Sequence, residues 1–250
     1  MIIIGNTRIS DDYFILECKD SQPLPCIKPG QFAHIKVESN PSVFLRRPFS
    51  IHDCNYENNT ISFLIKIVGN GSATLSQLRE NEVVSIVYPL GNGFSDEAAA
   101  DGKSLLIGGG VGIAPIFFLA KEMKQKKCDY DVLLGGKKVS DLLCYSQLKQ
   151  FCSVFCTTED GSEGTRGFVT DHEIMRNISR YDRIFCCGPT PMMKAVGKKA
   201  CENGIFCEVS LENKMACGFG VCLCCVTPTN DGNRCVCTDG PVFNINELKW

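Results

Sequence analysis

Six of the chain's 17 cysteines fall between Cys217 and Cys237, a density that constrains the fold more than any other feature of the sequence. The run reads Cys217-Gly-Phe-Gly-Val-Cys222-Leu-Cys224-Cys225, with Cys235 and Cys237 after it. C-x4-C-x2-C followed by a later cysteine is the ligand spacing of a [2Fe–2S] centre. Four thiolates must meet around a small inorganic core, so the loop needs close-set cysteines and a permissive backbone. Gly218 and Gly220 supply that freedom between the first two candidate ligands. A structural zinc site on Cys222, Cys225, Cys235 and Cys237 is the rival reading, but it leaves Cys217 and its glycine turn unexplained. Spacing alone does not separate Cys235 from Cys237 as the fourth ligand.

The other cysteines are scattered singly and read as small buried hydrophobes. An odd cysteine total and no export signal argue against a disulfide framework and for a reducing, cytoplasmic setting. Met1 to Gly5 is too short for a signal-peptide core. Leu105 to Ala120 is uncharged but shorter than a membrane span and broken by glycines and Pro115. A net charge of −2 gives no electrostatic reason to expect nucleic acid or an anionic membrane as partner.

The chain divides into three parts. Residues 1–97 carry short alternating apolar runs, such as Phe32 to Val37 and Ile61 to Val68, bounded by turn formers. That pattern predicts a small antiparallel β-barrel. Residues 98–206 alternate strand and helix, with strands near 104–107, 130–134, 154–157 and 183–186. Helices are expected near 115–127, 141–150, 171–178 and 191–203. Such alternation predicts a parallel, doubly wound sheet. Residues 207–250, after the start of a further strand at 206–209, form a small loop-and-hairpin appendage around the cysteines.

Three further motifs carry chemistry. Arg46-Arg47-Pro48-Phe49-Ser50 closes a β-strand and can pair an arginine with a phosphate; alone it would read as a solvated basic pair. Gly108-Gly109-Gly110-Val111-Gly112-Ile113-Ala114-Pro115 follows a strand and opens a helix, where backbone N–H groups can approach a pyrophosphate. Pro115 stands where the common dinucleotide fingerprint has its last glycine, and a tight strand-to-helix turn remains open as an explanation of this loop taken singly. Cys187-Gly188-Pro189 lies at another strand-to-helix junction. The histidines His34, His52 and His172 read as surface or packing residues.

Taken in order, these motifs resemble those of the ferredoxin-reductase superfamily. Arg47 to Ser50 is similar to its R-x-Y-S flavin motif, with phenylalanine for tyrosine, and Gly69 to Ser72 to its diphosphate turn. Glu212 to Cys225, followed by Cys237-Thr-Asp-Gly-Pro-Val-Phe243, resembles the electron-transfer subunit of two-subunit, NAD-dependent dihydroorotate dehydrogenase. The resemblance implies FAD on Arg47, Pro48, Phe49, Ser50, Leu64, Ile65, Lys66, Gly71 and Ser72. It implies NAD on Gly110, Gly112, Pro115, Cys187, Gly188 and Pro189, with Cys187 near the nicotinamide. It places the cluster on Cys217, Cys222, Cys225 and Cys237, leaving Cys224 and Cys235 as bystanders.

The resemblance further implies an FMN-containing catalytic subunit as partner, in a heterotetramer with two copies of each subunit. This chain would pass that subunit's electrons through the cluster and FAD to NAD, in pyrimidine synthesis. Two other functions compete: a related reductase subunit linked to ferredoxin, sulfide or a hydrogenase, and a zinc-stabilised flavoprotein interaction module.

Overall fold

The computed structural model describes residues 1–38, 40–95, 97 and 101–250. The N-terminal part holds β1 (Ile2–Arg8), β2 (Tyr13–Lys19), β3 (Phe32–Ile35), β4 (Arg47–Ser50), β5 (Asp53–Asn55), β6 (Thr60–Lys66), α1 (Asn70–Leu75) and β7 (Ile86–Leu90). These strands form two antiparallel sheets, ordered β1-β2-β6-β5 and β4-β3-β7. Ile3, Phe14, Leu16, Ile35, Ile51, Phe63, Ile65 and Leu75 pack into the core that the two sheets share. The sheets are not joined into the closed barrel that the sequence pattern leads one to expect. Strands β4 and β5, at the seam, have four and three residues and pair with β3 and β6 respectively, not with each other. On the other side a single bridge, Ile2 to Val83, joins β1 to the segment before β7.

The second part contains β8 (Lys103–Gly109), α2 (Ile113–Gln125), β9 (Asp129–Gly136), α3 (Tyr145–Leu148), β10 (Ser153–Thr158), β11 (Thr165–Arg166), α4 (Glu173–Arg176), β12 (Arg183–Cys187), α5 (Thr190–Glu202) and β13 (Phe206–Ser210). The sheet is ordered β11-β10-β9-β8-β12-β13, every pair parallel. Its strands are near-continuous apolar runs because helices or loops cover both faces. Leu106, Val132 and Phe185 pack under α2, whereas Leu105, Leu133 and Ile184 share a core with Val196 and Ala200 of α5. The helix expected over 141–150 is shorter: a 3₁₀ turn at 139–141, then α3. The helix expected over 171–178 is likewise split between α4 and flanking 3₁₀ turns.

The last part contains the hairpin of β14 (Val226–Thr229) and β15 (Gly232–Cys235), then β16 (Val242–Asn244). Strand β16 adds to the parallel sheet as an antiparallel edge beside β13, so the cysteine segment is built onto the molecule's main sheet. The division expected at 206/207 falls inside the start of β13. The one expected at 97/98 borders residues 98–100, which lie outside the described residues. Among the described residues no helix is long and apolar enough to cross a membrane.

His52 sits where the first two parts meet. Its ring stacks on Phe117 of α2, with centroids 4.6 Å apart, beside the Lys121–Asp53 ion pair that also crosses the boundary. Burial holds its pKa down at about 4, against about 6.5 in the unfolded chain. The unfolded state therefore binds a proton in this window that the folded state refuses. Stability is expected to fall as pH drops from about 6.5 towards 4, by about 3 kcal/mol from this residue. Thermal melts across that range should show the loss, and His52→Phe should flatten it.

Candidate functional site

The parallel sheet creates a crevice by its topology. From β8 the chain winds outward through β9 and β10, then returns to place β12 on the other side of β8. Ligands bind at such a switch point, beyond the carboxyl ends of the strands. Here the crevice is flanked by the N-termini of α2 and α5, each 13 residues long, whose dipoles favour an anion. The two loops fit closely. A Cβ on Gly112 would stand 2.6 Å from the Cys187 carbonyl carbon and from Gly188 Cα. Gly110 has φ +54 and open space around it, leaving its backbone approachable. Pro115 lies buried in the first turn of α2, where its missing N–H costs nothing.

Cys187 ends β12 with its side chain 1% exposed, while Gly188 is half-buried and Pro189 exposed at the loop tip. Burial first, and then the charge of Glu212, push the Cys187 thiol well up, so it stands as a neutral wall. Glu212 is open to solvent but walled by protein, and this desolvation raises its own carboxyl.

On the N-terminal part, Arg47 and Gly71 come together from β4 and α1. A Cβ on Gly71 would meet Arg47 Nε at 3.1 Å and Val43 Cγ1 at 3.3 Å, so a side chain there would press on the guanidinium. Arg47 is half-buried, and its guanidinium makes no ion pair or hydrogen bond among the described residues. A half-buried cation beside helix N–H groups is a cradle suited to a diphosphate. Neighbouring Arg46 is spent on structure: its Nη1 donates to the Ser85 carbonyl at 2.8 Å and its Nη2 to Ser85 Oγ at 2.8 Å. Ser72 is also occupied, accepting from the Val68 and Gly69 N–H groups at 2.9 and 3.3 Å. Pro48, Phe49 and Ser50 are half-buried along β4. Leu64 and Ile65 are fully packed in β6, and Lys66 is exposed, its ammonium 5.3 Å from the Tyr13 ring.

The cysteine loop bends where its backbone adopts positive φ, at Gly218 (+83), Gly220 (+85) and Leu223 (+56). These bends turn backbone N–H groups onto sulfur. The Gly220 N–H donates to Cys237 Sγ at 3.2 Å, that of Cys237 to Cys225 Sγ at 3.4 Å, and that of Cys222 to Cys217 Sγ at 3.5 Å. N–H groups of Phe219 and Cys222 hold the Cys217 thiol down at about 6, close to where thiolate forms at neutral pH.

The four thiols pair off, Cys217 with Cys222 and Cys225 with Cys237, although Cys235 also touches Cys225. Among the described residues no group of three or more Cys, His, Asp or Glu side chains is arranged to hold a metal ion. The chemistry of the donor set, four thiols on one loop with backbone N–H groups donating to the sulfurs of Cys217, Cys225 and Cys237, is compatible with a thiolate-held [2Fe–2S] centre. Asn92, which the sequence reading missed, clamps this loop from the far side: its Nδ2 donates to the Thr238 carbonyl at 2.9 Å and the Asp239 carbonyl at 3.1 Å.

Comparison with known proteins agrees with this geometry. Residues 212–249 match the family described as the iron–sulfur cluster binding domain of dihydroorotate dehydrogenase B, and residues 106–198 match the oxidoreductase NAD-binding domain. A protein of Caldanaerobacter subterraneus is 36% identical, covering 98% of this chain and 96% of its own. A Shouchella clausii protein is 34% identical, with 99% and 96% covered. Both are named dihydroorotate dehydrogenase B (NAD(+)), electron transfer subunit. This chain belongs to that family.

Solved structures agree on the fold. One, described as the NADH-dependent reduced ferredoxin-NADP oxidoreductase of flavin-based electron bifurcation, superposes with a TM-score of 0.88 at 30% identity, covering 100% of this chain and 89% of its own. A Neisseria gonorrhoeae ferredoxin NADP⁺ reductase with bound FAD and NADP gives 0.66 at 16% identity, covering 82% of this chain and 90% of its own, a likeness of fold alone. The fold of this electron-transfer subunit is thus of the ferredoxin-reductase type.

Two outcomes test the site. Serine at position 217, 222, 225 or 237 should abolish or perturb the cluster's visible and EPR spectra, while Cys224→Ser and Cys235→Ser should leave them intact. Loss at 235 with retention at 237 would reverse the fourth assignment. Arg47→Ala should weaken FAD binding by about 1.5–3 kcal/mol, the range for a hydrogen bond to a charged group, measured by flavin fluorescence on dilution.

Proposed function

We propose that this chain carries electrons from the FMN-containing catalytic subunit of a dihydroorotate dehydrogenase, through a [2Fe–2S] centre and FAD, to NAD. The full-length similarity to electron-transfer subunits, together with thiols already met by backbone N–H groups, carries this reading. Flavin is the necessary middle member, because it exchanges single electrons with an iron–sulfur centre and hydride pairs with nicotinamide.

The chain's own residues bind and orient. Arg47 and the turn at Gly71 and Ser72 hold the FAD diphosphate, while Pro48, Phe49 and Ser50 with Leu64, Ile65 and Lys66 line the flavin. Gly110, Gly112 and Pro115 receive the NAD pyrophosphate at the N-terminus of α2, with Gly188 and Pro189 closing the other side. Cys187, kept neutral, bounds the nicotinamide position without acting as a nucleophile. Cys217, Cys222, Cys225 and Cys237 ligate the cluster.

The same proposal assigns residues 1–97 to FAD, 98–206 to NAD and 207–250 to the cluster. It places the protein in the cytoplasm, in line with its many free thiols, and assembles it as a heterotetramer of two copies of each subunit. The partner docks on the cluster loop. Phe219, Val221 and Leu223 are 62%, 75% and 63% exposed, an apolar patch around the outward-facing Cys222 and Cys224 of the kind that marks an interface.

Reconstitution with the catalytic subunit should give dihydroorotate-dependent reduction of NAD. Ferredoxin-dependent turnover without any response to dihydroorotate would favour the related reductase reading, which the fold match to the bifurcating oxidoreductase keeps in view. Phe219→Asp or Val221→Asp should weaken subunit association about 10- to 100-fold, the loss of about 1.5–3 kcal/mol of apolar burial, while leaving the cluster spectrum unchanged. Calorimetry or native mass measurement of the pair reads this directly.

A further inference from the structure

His34 is the one buried side chain whose two ring nitrogens both lack a partner among the described residues. It is 1% exposed, and burying an unpaired donor and acceptor carries a desolvation cost. Such a cost persists where the group has a use.

The position of the ring shows what it faces. Strand β3 has two faces. Ala33 and Ile35 point into the core between the N-terminal sheets, while Phe32 belongs to the other core, which also takes in Cys225, Cys237 and Phe243 of the cysteine segment. His34 shares the face of Phe32, their rings 5.7 Å apart. Its cross-strand neighbours are Pro48 of the flavin strand and Val87. Over the ring lies Gly218, the residue after Cys217: a Cβ there would stand 2.7 Å from His34 Cε1 and 2.8 Å from Nδ1. The imidazole therefore lies directly beneath the first bend of the ligand loop, on the strand next to the proposed flavin contacts.

Burial first, and then the charge of Arg46, hold the ring neutral. A neutral imidazole carries one N–H donor and one bare acceptor nitrogen. The groups set around it are the Phe32 ring, Pro48, Val87, the Gly218 backbone, and Arg46, whose guanidinium is turned to the His34 carbonyl and Ser85. No carboxylate, hydroxyl or carbonyl among them accepts the imidazole N–H.

We propose that His34 is a positioning residue whose N–H donates a hydrogen bond to a sulfur of the iron–sulfur centre held by the loop above it. This rests on the iron–sulfur reading of the four cysteines. A donor on a cluster sulfur favours the reduced, more negative state and so raises the reduction potential. The residue thereby adjusts the driving force between the cluster and the flavin strand on which it borders. The glycine at 218 has a second role in this arrangement, since any side chain there would displace the ring from the loop.

The test uses the full chain, as isolated with its cofactors, labelled with ¹⁵N-histidine. Iron and acid-labile sulfide analysis of the unaltered protein first establishes the cluster; its absence would sink the iron–sulfur reading itself. Pulsed EPR of the reduced protein should then show a weak coupling to a histidine nitrogen, lost in His34→Phe. That variant should keep its cluster with a more negative midpoint potential, and His34→Asn or His34→Gln, which restores an N–H donor, should bring the potential back. A cluster-loaded wild-type protein with no histidine nitrogen coupling would overturn the inference, as would a His34→Phe protein with unchanged potential. Should His34→Phe fail to fold, the nitrogen coupling in the labelled wild type decides alone.

Discussion

Three residues of strand pairing fix where the cysteines stand. When β16 joins β13, Ser210 and Val242 become neighbours across the ladder, and the chain between them, holding every candidate ligand, is drawn into one loop against the body. Asn92 closes the other side, donating its backbone N–H to the Gly240 carbonyl at 2.6 Å besides its two side-chain bonds to the same turn. A segment this small cannot bury enough apolar surface to fold alone. Its Cys225, Cys235 and Cys237 instead share a core with Ile107, Ile184 and Val209 of the parallel sheet. The proposed cluster loop, flavin strand and nicotinamide crevice are thus held on one framework.

Electrostatics follows from that framework. The N-termini of α2 and α5 favour anions at the crevice, Arg47 does so beside α1, and the N–H groups aimed at Cys217 favour its thiolate. At Cys187, which the proposal sets beside the nicotinamide, burial keeps the thiol protonated. Each part of the proposed relay is preorganised by backbone groups and fixed charges, with little reliance on mobile side chains.

Much of this was legible in the sequence wherever the constraint is local. Glycines 110, 112, 218 and 220 announce turns and close approaches, and both the cysteine spacing and the strand–helix alternation are short-range signals. The losses are long-range. His34 reads as an ordinary packing residue because the loop that covers it lies some 180 positions later in the chain. Asn92 looks like a turn former until Thr238 and Asp239 are placed against it. The expected barrel does not close because β4 pairs with β3 and β5 with β6 rather than with each other, a choice of partner that alternation does not encode. Ser72 illustrates a different limit: a hydroxyl expected at a diphosphate also serves to cap its own helix.

The order of the cofactors is the heart of the matter, and rapid mixing of the isolated chain with NADH under anaerobic conditions tests it most directly. Hydride from NADH should bleach the flavin absorbance first and the iron–sulfur absorbance second, and protein stripped of FAD with its cluster retained should show no cluster reduction. Cluster reduction at an undiminished rate in the flavin-free protein would contradict a relay in which the flavin stands between the two.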